Sequence, residues 1–194
     1  AAWGVRLGML TWNEENQLAC GAGGDPDRGL TPLGREAVRR MQARGILPDV
    51  SHTSDRSFWD ILKLAEGPVV ASHSNCRALC DVRRNLTDEQ LRAIRDTGGV
   101  IGVNVYHGFV HAEPRMQTAA MLARHAAHIA ETIGPEHVAC GFDFCEYFGP
   151  GNEGCEGMEN CAQTGNFFFE LERLGFSAAE RQGIASENLL RVLE

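Results

Sequence analysis

A chain of 194 residues that is 43% hydrophobic is the size of one domain and has enough apolar surface to bury a core, which excludes a disordered protein. Its net charge of −8, with arginines scattered along helices rather than striped with aromatics, argues against nucleic acid as a partner. No apolar run approaches the ~18 residues of a membrane span and no charged-then-apolar leader opens the chain, so the sequence reads as soluble and cytoplasmic.

Gly4 to Thr11 (GVRLGMLT) reads as a strand, ending in the polar cluster Trp12-Asn13-Glu14-Glu15-Asn16. A glycine-rich loop, Gly21 to Gly29, follows. Thr31-Pro32 then opens a helix as N-cap and first helical residue, with Leu33, Ala37, Val38 and Met41 on one face and Gly45 at its end. Arg35, Arg39, Arg40 and Arg44 on its other face read as a solvated surface.

The stretch from Leu47 to His73 says the same thing twice. Two short apolar runs, Leu47 to Val50 and Val69 to Ala71, are each followed by Ser-His and then by helix-starting residues. Between them lies a helix with Ser54 as N-cap, a Phe58/Ile61/Leu62/Ala65 face and a Gly67-Pro68 stop. This is a βαβ unit, whose right-handed crossover makes the two strands parallel and opens His52 and His73 on the same edge of the sheet. Imidazoles placed together there are natural ligands for a divalent metal. Ser-His after a strand can also be a capped loop whose imidazole satisfies backbone groups, a reading that the repetition weakens.

Thr87-Asp88-Glu89-Gln90 is a capping box opening a helix through Leu91 and Ile94, which Gly98-Gly99 ends. Val100 to Val105 is the fourth strand. A long helix from about Gln117 to Ile133 carries His125 and His128, three apart, read as core or interface histidines because that face packs on the sheet. Val138 to Phe142 is the fifth strand, with Asp143 after it. The glycine- and acid-rich loop from Glu146 to Cys161 is long enough to be a functional flap. Three helical pieces close the chain: Phe167 to Leu174, Ser177 to Ala185 with the box Ser177-x-x-Glu180, and Glu187 to Leu193. Seven cysteines cannot complete a disulfide framework, and Cys145, Cys155 and Cys161 read as unpaired loop thiols in a reducing compartment.

Five strands alternating with helices make an α/β, TIM-barrel-like fold in a single domain, 1–194, with catalytic groups expected at the strands' carboxyl ends. His52, His73 and Asp143 meet there. Two histidines and a carboxylate suit a catalytic zinc, which lowers the pKa of a bound water while a free carboxylate moves its proton. Arg84 either reaches this mouth as a clamp for a substrate carboxylate or is half of a solvated Arg83-Arg84 pair.

The stretches GVRLGMLTWNEEN, LTPLGREAVRRMQARGILPDVSHTS, PVVASHSNCRALCDVRRNLTDEQL, GGVIGVNVY, HVACGFDF and SENLLRVLE together resemble the membrane (renal) dipeptidase family of zinc peptidases, related to the amidohydrolase barrels. The resemblance implies that His52 and His73 ligate one zinc of a dinuclear pair. It makes Asp143 the proton carrier at the scissile amide and Arg84 the residue that holds the substrate's terminal carboxylate. The implied reaction is dipeptide hydrolysis by a zinc-bound hydroxide. Trp12 stands where mammalian members carry a histidine that polarises the scissile carbonyl, so it is assigned with Arg84 to the substrate pocket and the polarising role passes to another donor.

The family's first-strand His-x-Asp and its bridging glutamate have no counterpart. The expectation is therefore about five carboxyl-terminal units of a (β/α)8 barrel with the amino-terminal strands missing. One zinc at most is expected from this chain alone, with pairing to an amino-terminal fragment or a second copy. The competing reading is a non-catalytic β/α domain that binds a ligand or a partner chain.

Overall fold

Short parallel strands alternate with helices in the computed structural model, which describes residues 3–194. The strands are β1 (Leu7–Met9), β2 (Leu47–Asp49), β3 (Ile101–Val103) and β4 (Val138–Cys140). β1 lies parallel to β2 with Leu7 opposite Leu47, and β3 parallel to β4 with Ile101 opposite Val138. The segment through Val70 and Ala71 joins the two pairs by parallel bridges from Asp49 to Val70 and from Ala71 to Ile101. Backbone bonds carry the join: Val50 N–H to Val70 O (2.8 Å), Val70 N–H to Pro48 O (3.0 Å), Ala71 N–H to Val100 O (3.0 Å) and Gly102 N–H to Ala71 O (2.8 Å). Five strand-like segments thus stand side by side in chain order, with their carboxyl ends along one edge.

The strands are shorter than their apolar runs because polar side chains take over the ladder at that edge. The Asp49 carboxylate accepts from the backbone N–H groups of Ser51 and Ser72, both at 3.0 Å. Asn75 Oδ1 accepts from Asn104 N–H (2.9 Å), and Asn104 Oδ1 accepts from Tyr106 N–H (2.7 Å). Such local bonds offer the backbone an alternative to sheet pairing and end the strand. Just inside, Gly102 and Gly141 approach each other beneath the Ser72 carbonyl, and a Cβ on either would overlap that oxygen.

The helices are α1 (Pro32–Gln42), α2 (Asp55–Leu62), α3 (Asp88–Asp96), α4 (His107–Val110), α5 (Ala119–Ile133), α6 (Thr164–Arg173), α7 (Ala178–Gln182) and α8 (Asn188–Leu193), the last two joined by a π-turn, Gly183–Glu187. Their starts follow the capping signals. Thr31, Ser54, Thr87, Thr118 and Ser177 each accept a backbone N–H three residues on, and Thr87 with Gln90 and Ser177 with Glu180 form complete capping boxes. Ends are less legible. The long helix begins at Ala119 rather than Gln117, α6 begins before Phe167, and the run from Ser177 to Ala185 switches to π geometry at Gly183.

The core lies between sheet and helices: Phe58 and Ile61 of α2, Leu91 and Ile94 of α3, Leu122 and Ile129 of α5, and Phe167 and Leu171 of α6 are all buried in one cluster with Ile101 and Val103 of β3 and Val138 of β4. Two expectations for α1 change. Leu33 is exposed rather than packed, and Arg35 is not simply solvated, since its Nη2 reaches the buried Asp60 carboxylate at 3.1 Å. Arg39, Arg40 and Arg44 are exposed as expected.

The loop after Asp143 is tied down by bridges from Tyr106 to Gly154 and from Thr118 to Glu156. Its cysteines are free thiols, with Cys155 buried and Cys161 exposed, and burial pushes the Cys155 thiol up to about 12. Among the described residues, no helix is long and apolar enough to cross a membrane.

Candidate active site

The carboxyl ends of the segments open into one cavity of about 1010 Å³, lined among others by Trp12, His52, His73, Arg84 and Asp143. The five residues singled out from sequence therefore share a mouth. Among the described residues, two that are not glycine have left-handed backbone, and both line it: His52 (φ 67°) and Asp143 (φ 59°). Such conformations cost on the order of 1–3 kcal/mol and persist where surrounding structure over-determines them. At His52 the turned peptide places its carbonyl to accept from Ala22 N–H at 2.7 Å, tying the histidine turn to the glycine-rich loop.

The two imidazoles lie 4.8 Å apart, centroid to centroid, at 65°. Each has one ring nitrogen engaged. His52 Nδ1 is 2.8 Å from Asn13 Oδ1, an acceptor, so this nitrogen carries the hydrogen. His73 Nδ1 is 2.7 Å from the Ser72 hydroxyl, whose own hydrogen goes to Asp49 Oδ2 in a short bond. Ser72 has one hydrogen to give, so it accepts from His73 Nδ1–H. Both rings are thereby held as the tautomer whose Nε2 bears a lone pair. His73 Nε2 is buried with no hydrogen-bond partner.

Burial, with the Arg84 cation and the neighbouring His73 ring adding to it, lowers the His52 pKa to about 3. Burial also lowers that of His73; Asp143 and Asp49 oppose the shift and Arg84 adds to it. Both rings are neutral at physiological pH, the state in which imidazole is a ligand.

Arg84 is half-buried, with its guanidinium carbon 5.2 Å from the centroid of the Phe109 ring. Its one side-chain bond is a long 3.5 Å contact from Nη2 to His73 O, and its Nε is buried without a partner. Burial lowers its pKa to about 10, against the opposing pull of Asp143 and Asp49, so it stays cationic at neutral pH. Arg83 also lines the cavity, but it is exposed and donates to Gly24 O at 3.2 Å, whereas Arg84 is drawn further in. Asp143 Oδ2 accepts from Asn104 Nδ2 at 3.2 Å and lies 4.0 Å from His73 Nε2. Trp12 is largely exposed, its ring 6.1 Å from that of His52.

An orphaned, buried imidazole nitrogen beside a second neutral imidazole fits a divalent metal ligand pair. The pair is only part of a site, because no group of three or more His, Cys, Asp or Glu among the described residues could hold a metal. Sequence reasoning missed the supports: Asp49 and Ser72 behind His73, Asn13 behind His52, and Asn104 behind Asp143. Asp49 left a signal, a carboxylate within an otherwise apolar strand, where an unpartnered charge would be costly. Asn104 ends its strand as Asp143 does, but a lone asparagine there has many other uses.

The chain is similar to several known proteins. An uncharacterized protein in the pqqA 5′ region of Klebsiella pneumoniae is 41% identical over 152 residues, which are 74% of this chain and 56% of that one. An uncharacterized dipeptidase of Schizosaccharomyces pombe is 34% identical over 97% of this chain and 46% of its own length. A crystal structure of a metallo peptidase from Rhodobacter sphaeroides, liganded with a phosphinate mimic of the dipeptide L-Ala-D-Ala, superposes with a TM-score of 0.87 at 28% identity, covering 99% of this chain and 56% of that one. Its TIM-barrel-like α/β fold is thus the fold of this chain. The chain spans about half the length of the curated relatives it matches. The family model for membrane dipeptidase (peptidase family M19) matches residues 1–194, and the chain belongs to that family.

Proposed function

We propose that the protein to which this chain belongs hydrolyses dipeptides with the help of zinc, and that His52, His73, Arg84, Asp143 and Trp12 serve that reaction. The observation that carries this reading is the pair of neutral imidazoles, one with an orphaned Nε2, facing Asp143 and Arg84 across one cavity. His52 and His73 would hold one metal of a pair, which when bound supplies a Lewis acid and a water acidic enough to attack at neutral pH. Asp49 through Ser72, and Asn13, keep the two rings in the ligating tautomer.

Asp143, steadied by Asn104, carries a proton from the attacking water to the leaving amine. Arg84, cationic and short of partners, clamps the terminal carboxylate of the dipeptide. Trp12 walls the substrate pocket beside His52. The five strand-like segments are read as five of the eight units of the barrel. Two imidazoles are fewer than the three protein ligands usual for a catalytic zinc, and no larger ligand group exists among the described residues, so the 194 residues alone are expected to bind at most one zinc, weakly.

The test is steady-state hydrolysis by the zinc-loaded protein that contains this chain. Arg84→Ala should raise KM for a free dipeptide by roughly 10- to 100-fold with little change in kcat, because a charge-assisted pair acts in ground and transition states alike. It should also abolish the preference over the carboxyl-amidated dipeptide. Unchanged KM and preference would return Arg84 to a structural role, and absence of any dipeptide hydrolysis would favour the binding-domain reading.

A further inference from the structure

Behind the cavity lies a second guanidinium that the reaction does not use. Arg77, four residues after His73, grips the Asp55 carboxylate with both ends: Nη1 to Oδ2 at 2.9 Å and Nη2 to Oδ1 at 2.7 Å. Asp55 is the first residue of α2, three residues after His52, and Gln90 Nε2 gives its Oδ1 a further bond at 2.9 Å. The other Arg77 contacts go to backbone. Nε donates to Asn85 O at 2.8 Å, and Nη2 reaches Arg83 O at 3.3 Å. Those two carbonyls flank Arg84.

The surrounding backbone is pinned as well, by Arg77 N–H to Leu86 O and Leu86 N–H to Asn75 O, both 2.8 Å. The Arg84 side chain has no such anchors, only its long contact to His73 O and the ring of Phe109 beneath it. The direction in which Arg84 points is therefore set by its backbone, and one planar fork holds that backbone on both sides. A lysine at position 77 could not serve two carboxylate oxygens and two carbonyls at once, since its donors radiate from a single atom.

We propose that Arg77 and Asp55 are a positioning pair that aims Arg84 and fixes the carboxylate clamp relative to α2 and His52. They thereby determine how strongly the enzyme prefers substrates with a free terminal carboxylate. The proposal rests on the reading of Arg84 given above. A pair that merely stapled the loop would alter stability and leave this preference untouched.

The test compares a free dipeptide with its carboxyl-amidated form in the zinc-loaded active protein and its Arg77→Met, Arg77→Lys, Asp55→Asn and Arg84→Ala variants, each with zinc content and melting temperature measured. Arg77→Met should raise KM for the free dipeptide about tenfold with kcat within about twofold, and shrink the preference over the amide by the same factor. Arg77→Lys and Asp55→Asn should move both quantities in the same direction at near wild-type zinc content, and they carry the test if Arg77→Met does not fold. The double variant Arg77→Met/Asp55→Asn should be no worse than Arg77→Met, as for two members of one unit. If Arg84→Ala abolishes the preference while the Arg77 and Asp55 variants keep wild-type KM and preference, the proposal is overturned and the Arg84 reading stands. If Arg84→Ala leaves the preference intact, both fall.

Discussion

His125 and His128 share a face of α5, and His52 and His73 share the rim of the cavity, yet the two pairs are built in opposite ways. His125 is fully buried with both ring nitrogens satisfied: Nδ1 accepts from Cys76 N–H at 3.1 Å and Nε2 donates to Val110 O at 2.8 Å. His128 Nε2 meets Asp88 at 2.7 Å. At the rim each ring has a fixed Nδ1, while His73 Nε2 is buried without a partner. Burial depresses the pKa of His125 as it does those of the rim pair, so titration does not separate them. What separates a structural histidine from a ligand is the number of nitrogens the protein leaves unspent, and a buried imidazole left with one is costly unless something else binds it.

The comparison sharpens furthest at Asp143, the carboxylate nearest the free His73 nitrogen. Asp143→Asn preserves shape and tolerates the left-handed backbone, so melting temperature and zinc content should hold while turnover falls about 10²- to 10⁴-fold. Turnover within a few-fold of wild type would remove Asp143 from the chemistry.

A smaller effect is expected at His125, where it concerns stability alone. Burial, with His128 and His111 adding and the Val110 bond opposing, lowers its pKa to about 4, so the folded state holds the neutral ring. The unfolded chain binds the proton first. Stability from this residue is therefore complete above about pH 6.5 and is lost as pH falls from there through 4, by about 3 kcal/mol at the lower end. Urea unfolding of wild type and His125→Gln across that range checks it: the wild type should lose more stability on acidification, and parallel curves would contradict the assignment.

Much of the fold was legible because local signals and global arrangement agree. Thr31, Ser54, Thr87 and Ser177 cap where expected, and the twice-repeated Ser-His placed two imidazoles on one edge. Strand lengths were not, since the ladder is cut short by side-chain partners such as Asp49, Asn75 and Asn104 that come from other segments. The same holds for the supports of the site. Ser72 is informative only once Asp49 is known to stand behind it, and Arg77 only once its carbonyl partners are seen to flank Arg84. The residues proposed to act on ligands stand out by type and position, whereas those proposed to aim them are defined by contacts across the chain.

Under the proposed function His52 and His73, and not the α5 pair, are spent on metal. X-ray absorption at the zinc edge of the loaded protein, with His52→Ala, His73→Ala and His125→Gln beside wild type, tests it most directly. Imidazole nitrogen is expected at about 2.0–2.1 Å from zinc, a signal diminished in each rim variant and unchanged in His125→Gln. A zinc shell without imidazole, or one indifferent to the loss of both His52 and His73, would contradict it.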